Sequence, residues 1–191
     1  MTGVRRGLVM DEGLFAALIS ELARRGNGER ETGAFLLARA GHVPDRGARH
    51  LVTAVAYYDD LDPGSLTGGI TFSADGYTAL AALCRRDGLR VVGDIHTHPG
   101  SMIMQSAIDT AHPMTAVAGH IALIAPHYAG DVIGPADLGA HILKDGGKWT
   151  SFYARDAARI VGLTRGTRPP WSRVRAAGRQ LQRLIRFRRP R

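Results

Sequence analysis

Residues 93–113 read GDIHTHPGSMIMQSAIDTAHP, and the folding of the two halves of this stretch decides the architecture around it. The first half closes RVVGDIHTH (90–98), which reads as a strand. His96 and His98, two apart, then project from the same face. The second half opens a helix expected from about Ser106 to Val117, with Ser106 and Asp109 three apart on one side. If that helix start folds back beside the strand end, two imidazoles and a carboxylate converge. Two His nitrogens and one carboxylate oxygen, with water in the fourth position, form a catalytic zinc arrangement. Ser106-x-x-Asp109 also reads as a capping box, and the two roles are compatible.

Working outward, GLVM (7–10) is a strand candidate, followed by DEGLFAALISELARRGNG. In that segment Leu14, Phe15, Leu18, Ile19 and Leu22 fall at helical spacing, with acids at the start and Arg24, Arg25 and Gly26 at the end. ETGAFLLARAG (31–41) and HLVTAVAYY (50–58) read as strands, and DDLDPGSLTGG (59–69) as a loop. A short strand ITF (70–72) and a Ser73 cap lead into a helix ending at Gly88. HIALIAP (120–126) reads as a strand, and 138–154 as a hairpin turning at Asp145-Gly146-Gly147. Helices alternate with strands early and a hairpin comes late. The expected fold is therefore α/β in the broad sense: a mixed β-sheet flanked by helices.

A chain of 191 residues, 45% of them hydrophobic, can bury one good-sized core. No run of about 18 uncharged apolar residues occurs, so no membrane span is expected. The N-terminus has no long apolar h-region, and the single cysteine, Cys84, excludes an internal disulfide. A cytoplasmic protein is expected. The formal charge of +8 suggests nucleic acid until it is divided. Residues 164–191 carry ten arginines and no acid, which leaves residues 1–163 at a net −2. Two units follow: a globular domain over 1–163, and a basic linker and amphipathic tail helix over 164–191. Trp171, Val174, Leu181, Leu184 and Ile185 lie roughly on one side of that helix.

A metal-activated water needs a base, and a carboxylate opening a strand of the same sheet is placed to serve. Glu31, in ETGAFLLA, is the candidate, with Glu29 as its competitor. Ser106 would supply a hydroxyl to a developing oxyanion. The loop residues Met102, Ile103 and Met104 either pack under the site or present an adaptable surface to substrate. His112, His120, His127 and His141 read as surface or strand-end positions, with His112 near enough to stand behind the site.

These residues resemble the JAMM/MPN+ (JAB) metallopeptidases. The pattern is an upstream Glu, His-x-His, seven residues that open with Pro, then Ser-x-x-Asp. Here it reads Glu31, His96-Thr97-His98-Pro99, residues 99–105 in between, and Ser106-Ala107-Ile108-Asp109. VVGDIHTHP and ITFSADGYTAL are also similar to stretches of that family, and Thr32-Gly33 follows Glu31 as it does there. Ala34, Ala38 and Gln105 depart from it without replacing a catalytic atom. The resemblance implies a curved mixed sheet between helices, of the cytidine-deaminase-like MPN kind. It implies one catalytic zinc ion on His96, His98 and Asp109, with Glu31 as general acid/base and Ser106 stabilising the intermediate. It implies hydrolysis after the C-terminus of a ubiquitin-like protein, as deconjugation or precursor maturation, with conjugation enzymes as further partners.

Two other readings stand beside it. A related peptidase would trim a sulfur-carrier-like protein. From a different class, a non-enzymatic binding module would act through the basic tail on anionic lipid, nucleic acid or a partner groove.

Overall fold

The computed structural model describes residues 7–41, 49–66 and 69–165. Strand β1 (Leu8–Asp11) runs directly into helix α1 (Glu12–Gly26). The Asp11 carboxylate caps that helix by accepting from the backbone N–H groups of Gly13 and Leu14, and Asn27 closes it in the left-handed conformation. Its apolar stripe, Leu14, Phe15, Leu18, Ile19 and Leu22, is buried as the spacing requires. The chain continues through β2 (Gly33–Arg39), β3 (His50–Leu51), β4 (Ala54–Tyr57), α2 (Tyr58–Leu61), α3 (Ala74–Asp87) and β5 (Leu89–Thr97). Then come α4 (Ala107–Ala111), β6 (Ile121–Ala125), β7 (Gly139–Leu143), β8 (Trp149–Phe152), α5 (Arg155–Ile160) and β9 (Val161–Thr164).

A six-stranded mixed sheet, ordered β4-β2-β5-β6-β7-β8, carries the molecule. Only β5 and β6 are parallel within it; the other pairs are antiparallel. Strand β2 shows why both faces are covered. Ala34, Leu36 and Ala38 pack with the α1 stripe, while Phe35 and Leu37 pack with Leu80 of α3 and with Tyr58. A strand buried on both faces reads as a continuous apolar run, as AFLLA does. Burial of each leucine or phenylalanine among these contributes about 1.5–3 kcal/mol. At the end of α1, the Arg25 guanidinium pairs with Glu21, Asp59 and Asp60 and lies 4.1 Å over the Tyr57 ring, tying α1 to α2.

Several expectations are corrected. The stretch 50–58 is two strands, because the chain changes sheets within it. The Val52 N–H donates to Val9, and the Thr53 N–H donates to Leu37. β3 therefore joins a second, three-stranded sheet, β3-β1-β9, in which both pairs are parallel. The loop 59–69 begins inside the one-turn helix α2. Residues 70–72 form no strand: the Thr71 N–H goes to the Ser65 carbonyl and the Ser73 N–H to the Asp62 carboxylate. Phe72 instead packs edge-on against Phe35, with ring centroids 5.2 Å apart. Helix α4 is five residues long and not the expected twelve or so, since Pro113 bars helical geometry at His112 (φ −128°, ψ 67°). The tail helix expected beyond 164 falls at 166–191, outside the described residues. Among the described residues, no helix is long and apolar enough to cross a membrane.

Gly33 lies across from His96 in the β2–β5 ladder, and a Cβ there would meet the Tyr58 ring and stand 2.9 Å from the Ile95 carbonyl oxygen. Gly33→Ala is expected to cost about 1–3 kcal/mol by overpacking. Urea titration would show this as a lower midpoint at unchanged slope.

Candidate metal centre

Strand alternation puts Asp94, His96 and His98 on the face that carries α3 and Tyr58, while Ile95 between them joins the α1 core. The β5–β6 ladder continues past its formal end: His98 donates its N–H to Ala125 and accepts from Tyr128 N–H. The His98 backbone is thus held by main-chain bonds on both sides, as inside the strand.

The capping box at α4 is present in full. Ser106 Oγ accepts from Asp109 N–H at 3.1 Å, and Asp109 Oδ2 accepts from Ser106 N–H at 2.7 Å. This cap turns the Asp109 carboxylate toward the strand end. His96 Nε2 lies 3.5 Å from Asp109 Oδ1, His98 Nε2 lies 3.4 Å from Asp109 Oδ2, and the two Nε2 atoms are 3.1 Å apart. Four-coordinate zinc at about 2.0–2.1 Å from each donor sets neighbouring donors about 3.3–3.4 Å apart. The edge between the two nitrogens is close to that value, and each nitrogen lies near a different Asp109 oxygen; one ligand atom from each of the three residues falls within 4.8 Å of the others, so the two imidazoles and one carboxylate oxygen can reach one ion. Three protein donors leave one corner for water or substrate, as a reactive site needs. Among the described residues, His96, His98 and Asp109 are the group placed to hold a metal ion.

The electrostatics suit a cation. Burial opposes ionisation at each group, and the neighbouring charges overcome it. His96 is raised to about 9 by the Asp109 and Asp94 carboxylates. Asp94 is lowered to about 2 by His120 and His96, and Asp109 is held far below the usual carboxylate range by His96 and His98. Without a metal, a proton on His96 offsets the carboxylates. An ion at the same place does so with more charge.

The loop after the strand is secured through its carbonyls. His98 Nδ1–H donates to Met102 O (3.1 Å), which turns the Nε2 lone pair toward the cluster. His141 Nε2 bonds Ile103 O at 3.0 Å, and Gly139 beside it has no side chain where that carbonyl passes. Burial lowers the His141 pKa, and Ser151 Oγ lies 2.9 Å from its Nδ1. His127, Tyr128 and Ala129 occupy the left-handed region in succession (φ 51°, 52° and 60°). Such backbone costs about 1–2 kcal/mol per non-glycine residue. The turn lets His127 N–H reach Gly100 O and Tyr128 N–H reach His98 O.

Of the other expected site residues, Ser106 is at the cluster through its cap. Glu31 precedes β2 and is half-buried, whereas Glu29 is exposed. The Thr97 N–H to Thr32 carbonyl bond extends the ladder outward from the Gly33–His96 pair, which carries Glu31 toward His98. The apolar loop divides: Ile103 is half-buried, while Met102 and Met104 are 53% and 54% exposed. His112 and His127 are exposed as expected. His120 stands at a strand end as expected, just before β6, and is buried there against Asp94; His141 is a correction, buried in mid-strand under the loop. Asp94, Tyr58 and His120 were missed as a group. Only Asp94 had a signal, its i, i+2, i+4 spacing with the two histidines. A cavity of about 70 Å³ beside the donors is lined by Tyr58, His96, Ile108, Asp109, Met114 and Trp149. A larger one of about 370 Å³, between Thr110–Pro113 and the Lys144–Gly147 turn, touches none of the three donors.

No protein-family model matches the chain. In structure it is similar to a Desulfitobacterium hafniense protein solved in solution, with 18% identity, 83% of this chain and 94% of that one covered, and a TM-score of 0.55. A Salinibacter ruber protein, also solved in solution, matches at 20% identity over 77% of this chain and 90% of that one, with a TM-score of 0.52. At such identities what is shared is the fold. A crystallised JAB1/MPN domain protein from Archaeoglobus fulgidus matches at 13% identity over 83% of this chain and 98% of that one, with a TM-score of 0.45.

Asp109→Asn separates the cap from the metal role, since an amide oxygen still accepts from Ser106 N–H. The metal-free variant loses the charge that faces His96 and His98 but keeps the cap, so it should be less stable than the parent and still melt cooperatively, while the rise in melting temperature on adding Co²⁺ disappears. Ion and proton compete at His96. Metal uptake at neutral pH should therefore release at least one proton and weaken as pH falls, which calorimetry in buffers of different ionisation enthalpy would read.

Proposed function

We propose that this chain is a zinc-dependent metallopeptidase of the JAMM type, hydrolysing a peptide or isopeptide bond that follows the C-terminus of a ubiquitin-like protein in the cytoplasm. The observation that carries the reading is the donor triangle of His96, His98 and Asp109, whose ligand atoms, one from each residue, lie within 4.8 Å of one another, with the two Nε2 atoms 3.1 Å apart. Its spacing in sequence resembles the JAMM zinc motif, and Glu31 and Ser106 stand where that motif has its remaining members.

Zinc, when bound, supplies a Lewis acid and makes water nucleophilic at neutral pH. The chain's own groups do the rest. The Glu31 carboxylate takes a proton from the attacking water and returns it to the leaving amine nitrogen as the C–N bond breaks. The Ser106 oxygen accepts the cap bond from Asp109 N–H and keeps its own O–H to donate to the oxyanion. His98, locked through Nδ1 to Met102, keeps its tautomer throughout. Met102 and Met104, exposed beside the ligand loop, give the extended substrate tail an apolar surface. Recognition of an extended tail suits main-chain pairing along a strand edge, with side-chain pockets giving selectivity.

The test uses a ubiquitin-like protein carrying a C-terminal extension, with products followed by mass. Parent protein with zinc should release the extension, and chelation should stop it. Glu31→Gln should retain one zinc and lose at least about 10²-fold in kcat, whereas His98→Ala should lose both zinc and turnover. Hydrolysis undiminished in Glu31→Gln, or in metal-free protein, would contradict the proposal. Removal of a single residue from a sulfur-carrier-like protein, in place of cleavage after the modifier, would move the substrate assignment but not the chemistry.

A further inference from the structure

Asp94 carries a carboxylate into the interior with only 2% of its side chain exposed. Desolvating a charge costs several kcal/mol, so an acid in such a place needs partners that hold it. Asp94 Oδ1 lies 2.5 Å from His120 Nε2, and Oδ2 accepts from the Tyr58 hydroxyl at 3.1 Å. These partners come from separate parts of the fold, the start of α2 and the residue before β6. Each is itself anchored. Tyr58 is fully buried with its ring edge-on to Phe35 at 4.9 Å, and Gly33 leaves the space it fills. His120 donates its N–H to Val117 and accepts from Leu143 N–H.

The carboxylate so held faces one more group. Oδ2 is 3.9 Å from His96 Nδ1, the ring nitrogen turned away from the donor triangle. That is an ion-pair distance, roughly 1 Å longer than a hydrogen bond. A metal-ligating imidazole commonly gives its rear N–H to a carboxylate, which sets the ring's orientation and makes the ligating nitrogen more basic.

We infer that Asp94 is the positioning residue for His96, held in place by Tyr58 and His120, and that the row His120–Asp94–His96 sets how tightly the site binds its metal. The inference rests on the metallopeptidase reading of the same site. If Asp94 served only to fill space, an apolar side chain would do so without the cost of a buried charge. The 2-residue steps from Asp94 to His96 to His98 along β5 put the carboxylate and both imidazoles on one face, with Asp94 on the inner side and the ligands at the strand end.

The experiment measures zinc affinity of the full chain by competition with a chromophoric chelator, alongside the melting of the metal-free protein and the visible absorption of the Co²⁺ form. Asp94→Asn is expected to lower zinc affinity by about 10–100-fold and to shift the cobalt bands, while the metal-free protein still melts cooperatively. Tyr58→Phe and His120→Leu, each removing one support, should move affinity the same way by less. Asp94→Glu, which keeps the charge, should bind zinc more tightly than Asp94→Asn. A folded Asp94→Asn with the parent's zinc affinity and cobalt spectrum would overturn the inference and leave the metallopeptidase reading standing. If Asp94→Asn does not fold, parental affinity in both supporting variants overturns it equally. Failure of the parent itself to bind zinc would remove both.

Discussion

The antiparallel ladder between β2 and β5 is the constraint on which the site depends. It sets Gly33 across from His96 and Phe35 across from Asp94. Because the side-chain period of a strand is two, a slip of one residue would send His96 and His98 into the α1 core and Ile95 toward α3. The apolar contacts on both faces of β2 prevent that slip. The same register leaves the space at Gly33 that Tyr58 occupies, and Tyr58 in turn reaches Asp94. The core and the polar cluster are therefore specified by one set of main-chain bonds.

A second economy lies in α4. Five residues are too few for a stable free helix, and the cap bonds between Ser106 and Asp109 do much of the work of defining it. Those bonds also orient the carboxylate. The loop that joins β5 to α4 would be a source of looseness between ligands, but three of its carbonyls are taken: Gly100 by His127, Met102 by His98 and Ile103 by His141. The left-handed turn at 127–129 is the strained element of this wiring, and its strain is spread over bonds that fix the backbone on either side of Pro99.

Local rules carried much of this into the sequence. The α1 stripe with acids at its start, the shared face of His96 and His98, the Ser106–Asp109 box and the Asp145-Gly146-Gly147 turn all depend on neighbours within a few residues. What was not legible depends on distant ones. β1 pairs with β3 and with β9 in parallel, across some 40 and 150 residues in turn, and no local pattern announces such pairings. The break at Val52–Thr53 follows from them. His141 looked like a strand-end or surface histidine, and the partner of His120 was not legible at all, because their partners, the Ile103 carbonyl and Asp94, are 38 and 26 residues away. The length of α4 was readable after all, from Pro113.

X-ray absorption at the zinc edge, on protein carrying one equivalent of zinc, examines the donor triangle itself. The geometry predicts a four-coordinate ion with two imidazole nitrogens and two oxygens at about 2.0–2.1 Å, one oxygen from Asp109. A six-coordinate shell of oxygens, or a chain that retains no stoichiometric zinc, would contradict it.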